Sequence, residues 1–313
     1  MSEFASAAER ARRAFGAVAR IEVALSNNPG RRDLQANLAA FQKLAIQSQE
    51  RLLQLSSHQH VEVCNYRLLP ETAKIYALLH VSESLLAYQN LFSQIYDWTK
   101  NGPKNRAILG KEAAEESALE FAYSYAGSLG VVLLAPSERE FFTGSLDPSI
   151  DRLFQVLNID SQGSVREISR EMGGAVIKRI HDWSRVNIGG GFATDVRWNR
   201  SDGRQLGEVI ARARMEKIVG IIEATSDESV SVIDETGVLV GGDIGRGSFH
   251  FVVPNGPDYR GNFAADFQSD TELTLGRTYQ AKIREKRTFL YATEREDIVR
   301  ELLRLTPPSK ANA

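Results

Sequence analysis

Apolar residues recur at spacings of three and four through the first 57 positions, change to alternation from Val61, and end in short β-type runs broken by glycine turns. In the second of two helical stretches Leu34, Leu38, Phe41, Leu44 or Ala45, Leu52 and Leu55 share one face. Ala5, Ala8, Phe15, Val18 and Leu25 make a comparable stripe in the first. Between them Ser26-Asn-Asn-Pro-Gly30 is a stop-and-turn signal. Two amphipathic helices on so short a link predict an antiparallel hairpin over 1–57. Alone it cannot bury both apolar faces, so it docks on the rest of the chain or on a copy of itself.

From 58 to 200 the pattern is mixed. Val61 to Leu69 alternates as a strand and stops at Pro70, and the helical run from Val81 to Lys100 is ended by Asn101-Gly-Pro103. Leu119–Tyr125 and Leu129–Ala135 predict a hairpin about Gly127-Ser128, its second arm apolar enough for burial on both faces. Helices are expected at about 148–158 and 164–186, the second opened by a Ser164/Glu167 capping box. Gly189–Gly191 reads as a loop and Val196–Trp198 as a short strand.

A helix over 203–224 is expected next. Beyond it Val230–Ile233, Val238–Ile244, Phe249–Val253, Tyr259–Phe263 and Tyr279–Glu285 read as strands, with Thr288–Tyr291 a candidate sixth. Strands this short and close must hide their edges, and closing into a small barrel does so. Phe249, Phe251 and Val253 then point inward and His250 outward. A Thr293/Glu296 capping box predicts a last helix through Leu305, with the tail from Pro307 frayed. The fold class is α+β: an N-terminal helical hairpin (1–57), an α+β middle domain (58–200), and a helix plus C-terminal small antiparallel β-barrel (201–313). In its order of elements, and in the residues Gly237 to Gly261 and Ala126-Gly-Ser-Leu-Gly130, the chain resembles some uncharacterised bacterial proteins. That resemblance implies a fold for about a third of the chain and no activity.

The net charge of −2 gives no whole-chain case for nucleic acid or acidic membranes. Cys64 is the one cysteine, which fits a reducing compartment. The start has no basic and apolar signal segment, and the longest apolar run, Gly130–Ala135, falls far short of the ~20 residues that span a bilayer. A cytoplasmic chain with no membrane partner is the expectation.

Candidate chemistry is sparse. P-loop and dinucleotide motifs are absent, and Gly245-Arg-Gly247 reads as a hairpin turn. No Gly-x-Ser-x-Gly elbow occurs, and Cys64 on a strand behaves as a small apolar side chain. His58 and His60, two apart on a strand and so ~6.6 Å along it, are close enough to share a zinc ion, whereas Cys64 lies ~13 Å beyond. They are the weak metal candidates, without a third ligand, and no cofactor is expected. Among the carboxylates Asp243, at a strand end, is read as a turn initiator before a catalyst. Between Arg166 and Lys217 eleven basic residues face seven acidic ones. Within that stretch Arg197, Trp198, Arg200 and Arg204 combine guanidiniums with an aromatic, a way to hold single strands, although Glu208 opposes Arg204 and Arg212. The leading reading is a non-catalytic interaction protein. Its hairpin self-associates or docks and its barrel binds a macromolecular partner, with a protein partner, a second copy or nucleic acid as the candidates. Nucleic-acid binding through 166–217 is the first alternative. An enzyme of unrecognised type, needing Asp243, His250 or the His58/His60 pair to converge with remote groups, is the second.

Overall fold

The computed structural model describes residues 3–58, 61–71, 76–125, 129–136, 146–243, 245–269 and 272–307. The chain forms two compact units, 1–225 and 226–313. The division falls after the segment 201–225, which the sequence pattern groups with the barrel; that segment belongs to the first unit instead, where its strand joins the sheet.

The first unit opens with α1 (Glu3–Asn27) and α2 (Arg32–His58). The buried and half-buried positions follow a seven-residue repeat, Phe4, Ala7, Ala11, Ala14, Val18, Ile21 and Leu25 on α1 and Leu34, Leu38, Ala45, Ser48, Leu52 and Leu55 on α2. Val18 and Leu25 of the expected α1 stripe lie in the seam, whereas Phe4, Ala7 and Ala14 take the places expected of Ala5, Ala8 and Phe15, and Ala5 is exposed. Burial along the seam is complete at the open end of the hairpin and fades toward the turn at 28–31.

A five-stranded antiparallel sheet follows, in the order β2 (Glu120–Tyr125), β3 (Leu129–Pro136), β1 (Val61–Pro70), β4 (Phe192–Asn199) and β5 (Gln205–Ile210). The expected β2–β3 hairpin is present, its turn at 126–128 lying outside the described residues. The open end of the helical hairpin covers one face, where Phe4, Ala7, Ala11, Leu52 and Leu55 meet Val61, Val63, Tyr123, Val132 and Leu134. On the opposite face lie α3 (Leu78–Asn101) and α7 (Gly174–Gly190), with α4 (Lys111–Glu116), α5 (Leu146–Val156), α6 (Gln162–Met172) and α8 (Arg212–Glu223) around them.

Three predicted elements of this unit are corrected. The helix expected over 164–186 is two, because Gly173 has φ +88 and a Cβ there would lie 2.2 Å from the Lys104 carbonyl oxygen. Its capping box is set by Ser161 with Ser164, not by Ser164 with Glu167. Gly189 and Gly190 finish α7 and Gly191, left-handed at φ 71, caps it, so the triple glycine is a helix end. The helix expected from 203 is a strand up to Ile210: Arg200 N–H donates to Arg204 O (2.8 Å) across a turn with Gly203 at φ +87, and pairing to β4 overrides helical propensity.

The second unit is a five-stranded sheet closed on itself: β6 (Ser226–Asp243), β7 (Ser248–Val252), β8 (Asp258–Ser269), β10 (Arg295–Thr306), β9 (Thr278–Leu290) and back to β6. Four ladders are antiparallel, but β10 runs parallel to β8, so the sheet is not the wholly antiparallel one expected. Phe249 and Phe251 point into its core as predicted, with Leu239, Tyr279, Ile283, Leu302 and Leu305, and Val253 packs against them. The expected last helix is a strand. A turn with Glu294 at φ 54 returns the chain as β10, which pairs with β9 along its length. Two pairs of expected short strands are single long ones, β6 and β9.

Candidate functional site

Of the four residues grouped as a nucleic-acid site, β4 carries two, and a strand sends consecutive side chains to opposite faces. Trp198 points to the α3 side and is fully buried. Its Nε1 donates to Tyr88 OH at 2.8 Å and its ring stacks on Phe92 at 5.1 Å between centroids. A base cannot stack on it there. The Tyr88 ring packs at 4.5 Å on Tyr66, whose OH hydrogen-bonds Ser84 Oγ (2.8 Å) and accepts from Trp183 Nε1 (3.0 Å), while Ser84 donates to Asn187 Oδ1 (2.7 Å). Cys64 Sγ lies 3.4 Å from Tyr88 OH, and burial pushes its thiol up to about 12. This thiol is a core side chain without thiolate character at neutral pH.

Arg200 is also buried, in the β4–β5 turn. Its guanidinium meets Asp151 (3.1 Å) and Asp147 (2.5 Å) at the start of α5, with Asp202 at 3.8 Å. Close by, Glu62 accepts from Ser201 N (3.0 Å) and Ser201 Oγ (2.6 Å), and burial raises its carboxyl pKa despite those bonds. Arg204 is exposed and held by Asp202 at 2.7 Å. The turn is thus tied to α5 and β1 through charges that the sequence presents as a basic patch.

Arg197 alone of the four projects onto the other face of the sheet, 62% exposed. Only the β2–β3–β1 part of that face lies beneath the helical hairpin. At the boundary Gln49 of α2 reaches Asn65 at 3.4 Å. Beyond it Asp195, Arg197 and Asn199 of β4 stand opposite Val209, Gly207 and Gln205 of β5. Asp195 is nearly buried and accepts from Arg197 Nε (2.8 Å) and Arg67 Nη1 (3.3 Å). A trough of about 360 Å³ runs along these two strands. The alternations Asn65-x-Arg67 and Asp195-x-Arg197 are visible in the sequence, but only the β1–β4 register places Arg67 opposite Asp195.

The helical hairpin carries the other exposed feature. Away from the sheet its core shrinks to Ala14, Val18 and Ala45, with Phe15 and Leu38 at the margin. There Phe41 (37%), Leu44 (48%), Ile46 (55%) and Val23 (63%) remain exposed. On α2 the exposed positions Ala36, Ala40 and Leu44, four apart, and Phe41, three before Leu44, form a second apolar stripe beside the seam.

The remaining candidates are dispersed. His58 ends α2 instead of entering a strand, which removes the strand geometry of the proposed pair, and His60 lies outside the described residues. Among the described residues no three of His, Cys, Asp and Glu are grouped to hold a metal ion. His250 faces outward and pairs with Asp258 at 2.7 Å. Asp243 Oδ1 accepts from Arg246 N at 3.0 Å, the geometry of a turn initiator. No helix among the described residues is long and apolar enough to cross a membrane. The chain matches no protein-family profile, no curated protein and no solved structure.

Proposed function

We propose that this is a non-catalytic interaction protein that pairs with a second copy of itself through its helical hairpin and holds a protein partner on its closed sheet. The observation that carries the reading is the second stripe on α2. A two-helix arm of roughly 38–40 Å, at 1.5 Å per residue, meets the sheet over only part of its length and keeps Phe41 and Leu44 in solvent. A copy related by a two-fold axis supplies the same stripe in return, and two hairpins so joined make a four-helix bundle. Sedimentation of the full chain with Phe41→Glu and Leu44→Glu tests it: the pair of charges dissociates a dimer and leaves a monomer unchanged.

The closed sheet supports the second half of the reading. Its neighbour order, first-second-third-fifth-fourth, with third and fifth parallel, is the connectivity of five-stranded Greek-key barrels of the OB class, which bind across their second and third strands. This likeness is one of architecture, not of activity. On β7 and β8 the outward side chains include His250, Arg260 and Asn262, with Asp258 beside His250 and ion-paired to Arg260. The rings of Phe249, Phe251 and Tyr259 turn inward. The face therefore offers charge and hydrogen bonds without a stacking platform, which suits a polar protein surface better than single-stranded nucleic acid.

A further inference from the structure

We propose that the uncovered half of the first sheet's hairpin-side face binds a small oxyanion, a phosphomonoester or a carboxylate, through Arg197. The site is independent of hairpin association. Asp195, nearly buried, accepts from both Arg197 and Arg67, and Glu208, which also lines the trough, is paired with Arg214. Asp195 engages Arg197 through Nε, and the two terminal nitrogens have no partner among the described residues. A guanidinium fixed at one edge and open at its tip presents two donors to the two oxygens of a carboxylate or phosphate.

Gly207 keeps the trough open. It stands opposite Arg197 in the β4–β5 ladder, and a Cβ there would lie 3.0 Å from Arg197 Cγ. The arginine stem therefore lies across the neighbouring strand instead of standing away from the sheet. Asn199 and Gln205, opposite each other in register, add amide groups at one end, and exposed Val209 adds an apolar surface at the other. About 360 Å³ is a volume suited to a small organic anion. Among the described residues that line the trough the only ring is that of Trp198, which is buried beneath the strand and offers no face for a base.

Calorimetric titration of the full chain at low salt with phenyl phosphate and with benzoate tests the site and separates the two anion types. We expect saturable binding of at least one, weakened at least about tenfold in Arg197→Ala. Gly207→Val, which fills the trough while keeping the arginine, is expected to weaken it similarly, and Arg246→Ala, in the other unit, to leave it unchanged. Three results overturn the proposal: neither anion binds below about 10 mM; binding persists unaltered in Arg197→Ala; or an oligonucleotide binds with the Arg197 dependence that both small anions lack.

Discussion

Arg197 and Trp198, adjacent in the chain, lie on opposite faces of one strand: the guanidinium is held by Asp195 at 2.8 Å in the open, and the indole donates to Tyr88 at 2.8 Å in the core. A joint role in gripping one ligand is ruled out by the pleat itself. The two residues should also respond oppositely to truncation. Trp198→Ala is expected to destabilise the first unit by about 3–5 kcal/mol, and Arg197→Ala by no more than about 0.5 kcal/mol. Urea unfolding followed by tryptophan fluorescence measures both, because Trp98, Trp183 and Trp198 all lie in that unit.

Arg200 is the case where burial turns an apparent ligand residue into a strut. Arg200→Ala leaves Asp147 and Asp151 without their shared cation and frees the β4–β5 turn from α5. A loss of about 1.5–3 kcal/mol is expected, with Arg200→Lys recovering part of it, since a lysine supplies charge without the planar fork. The urea midpoints of the two variants decide the point.

Gly173 should tolerate no side chain. Its φ is +88, and a Cβ added there would sit 2.2 Å from Lys104 O, so Gly173→Ala must both strain the backbone and displace the loop before α4. A destabilisation of about 2 kcal/mol or more is expected by thermal or urea unfolding, against a stabilisation of about 0.5–1 kcal/mol for Gly220→Ala, an exposed position inside α8 where a Cβ meets open space.

Acid should weaken the closed sheet through Glu285. Burial pushes this carboxyl up, but hydrogen bonds from Arg287 Nε and Arg300 Nε, each 2.7 Å, outweigh it, and its pKa lies below the ordinary 4.5. A depressed carboxylate pKa contributes stability that is complete above the unfolded value and lost as pH falls through the folded one. Amide-exchange protection in β9 and β10 is therefore expected to drop below about pH 4.5, with Glu285→Gln less protected at neutral pH and flatter across that range. Glu62 has the opposite sign: its raised pKa favours the folded state at low pH, and that contribution disappears as pH rises through the folded value.

Much of the architecture is legible in the sequence where local and tertiary signals agree. The Leu38, Ala45, Leu52 and Leu55 positions of the α2 stripe, the alternation from Val61, and the inward Phe249 and Phe251 follow from period alone, whereas Phe41 of that stripe stays exposed. The failures are places where a partner decides. Gln205–Ile210 and Arg295–Thr306 have helix-compatible compositions and form strands because β4 and β9 are available to pair with them. Gly173 breaks a sound helical pattern because Lys104, remote in sequence, presses on its backbone. The trough beside Arg197 is hidden for the same reason, since only the β1–β4 register sets Arg67 against Asp195.

The central claim, association through the distal half of the hairpin, is tested most directly by sedimentation equilibrium of the full chain beside its Phe41→Glu/Leu44→Glu variant. The expected result is a mass about twice 34.7 kDa for the unmodified chain and 34.7 kDa for the variant, with helical content unchanged. A mass of 34.7 kDa for the unmodified chain at concentrations up to about 100 µM, or a dimer that survives both charges, contradicts it.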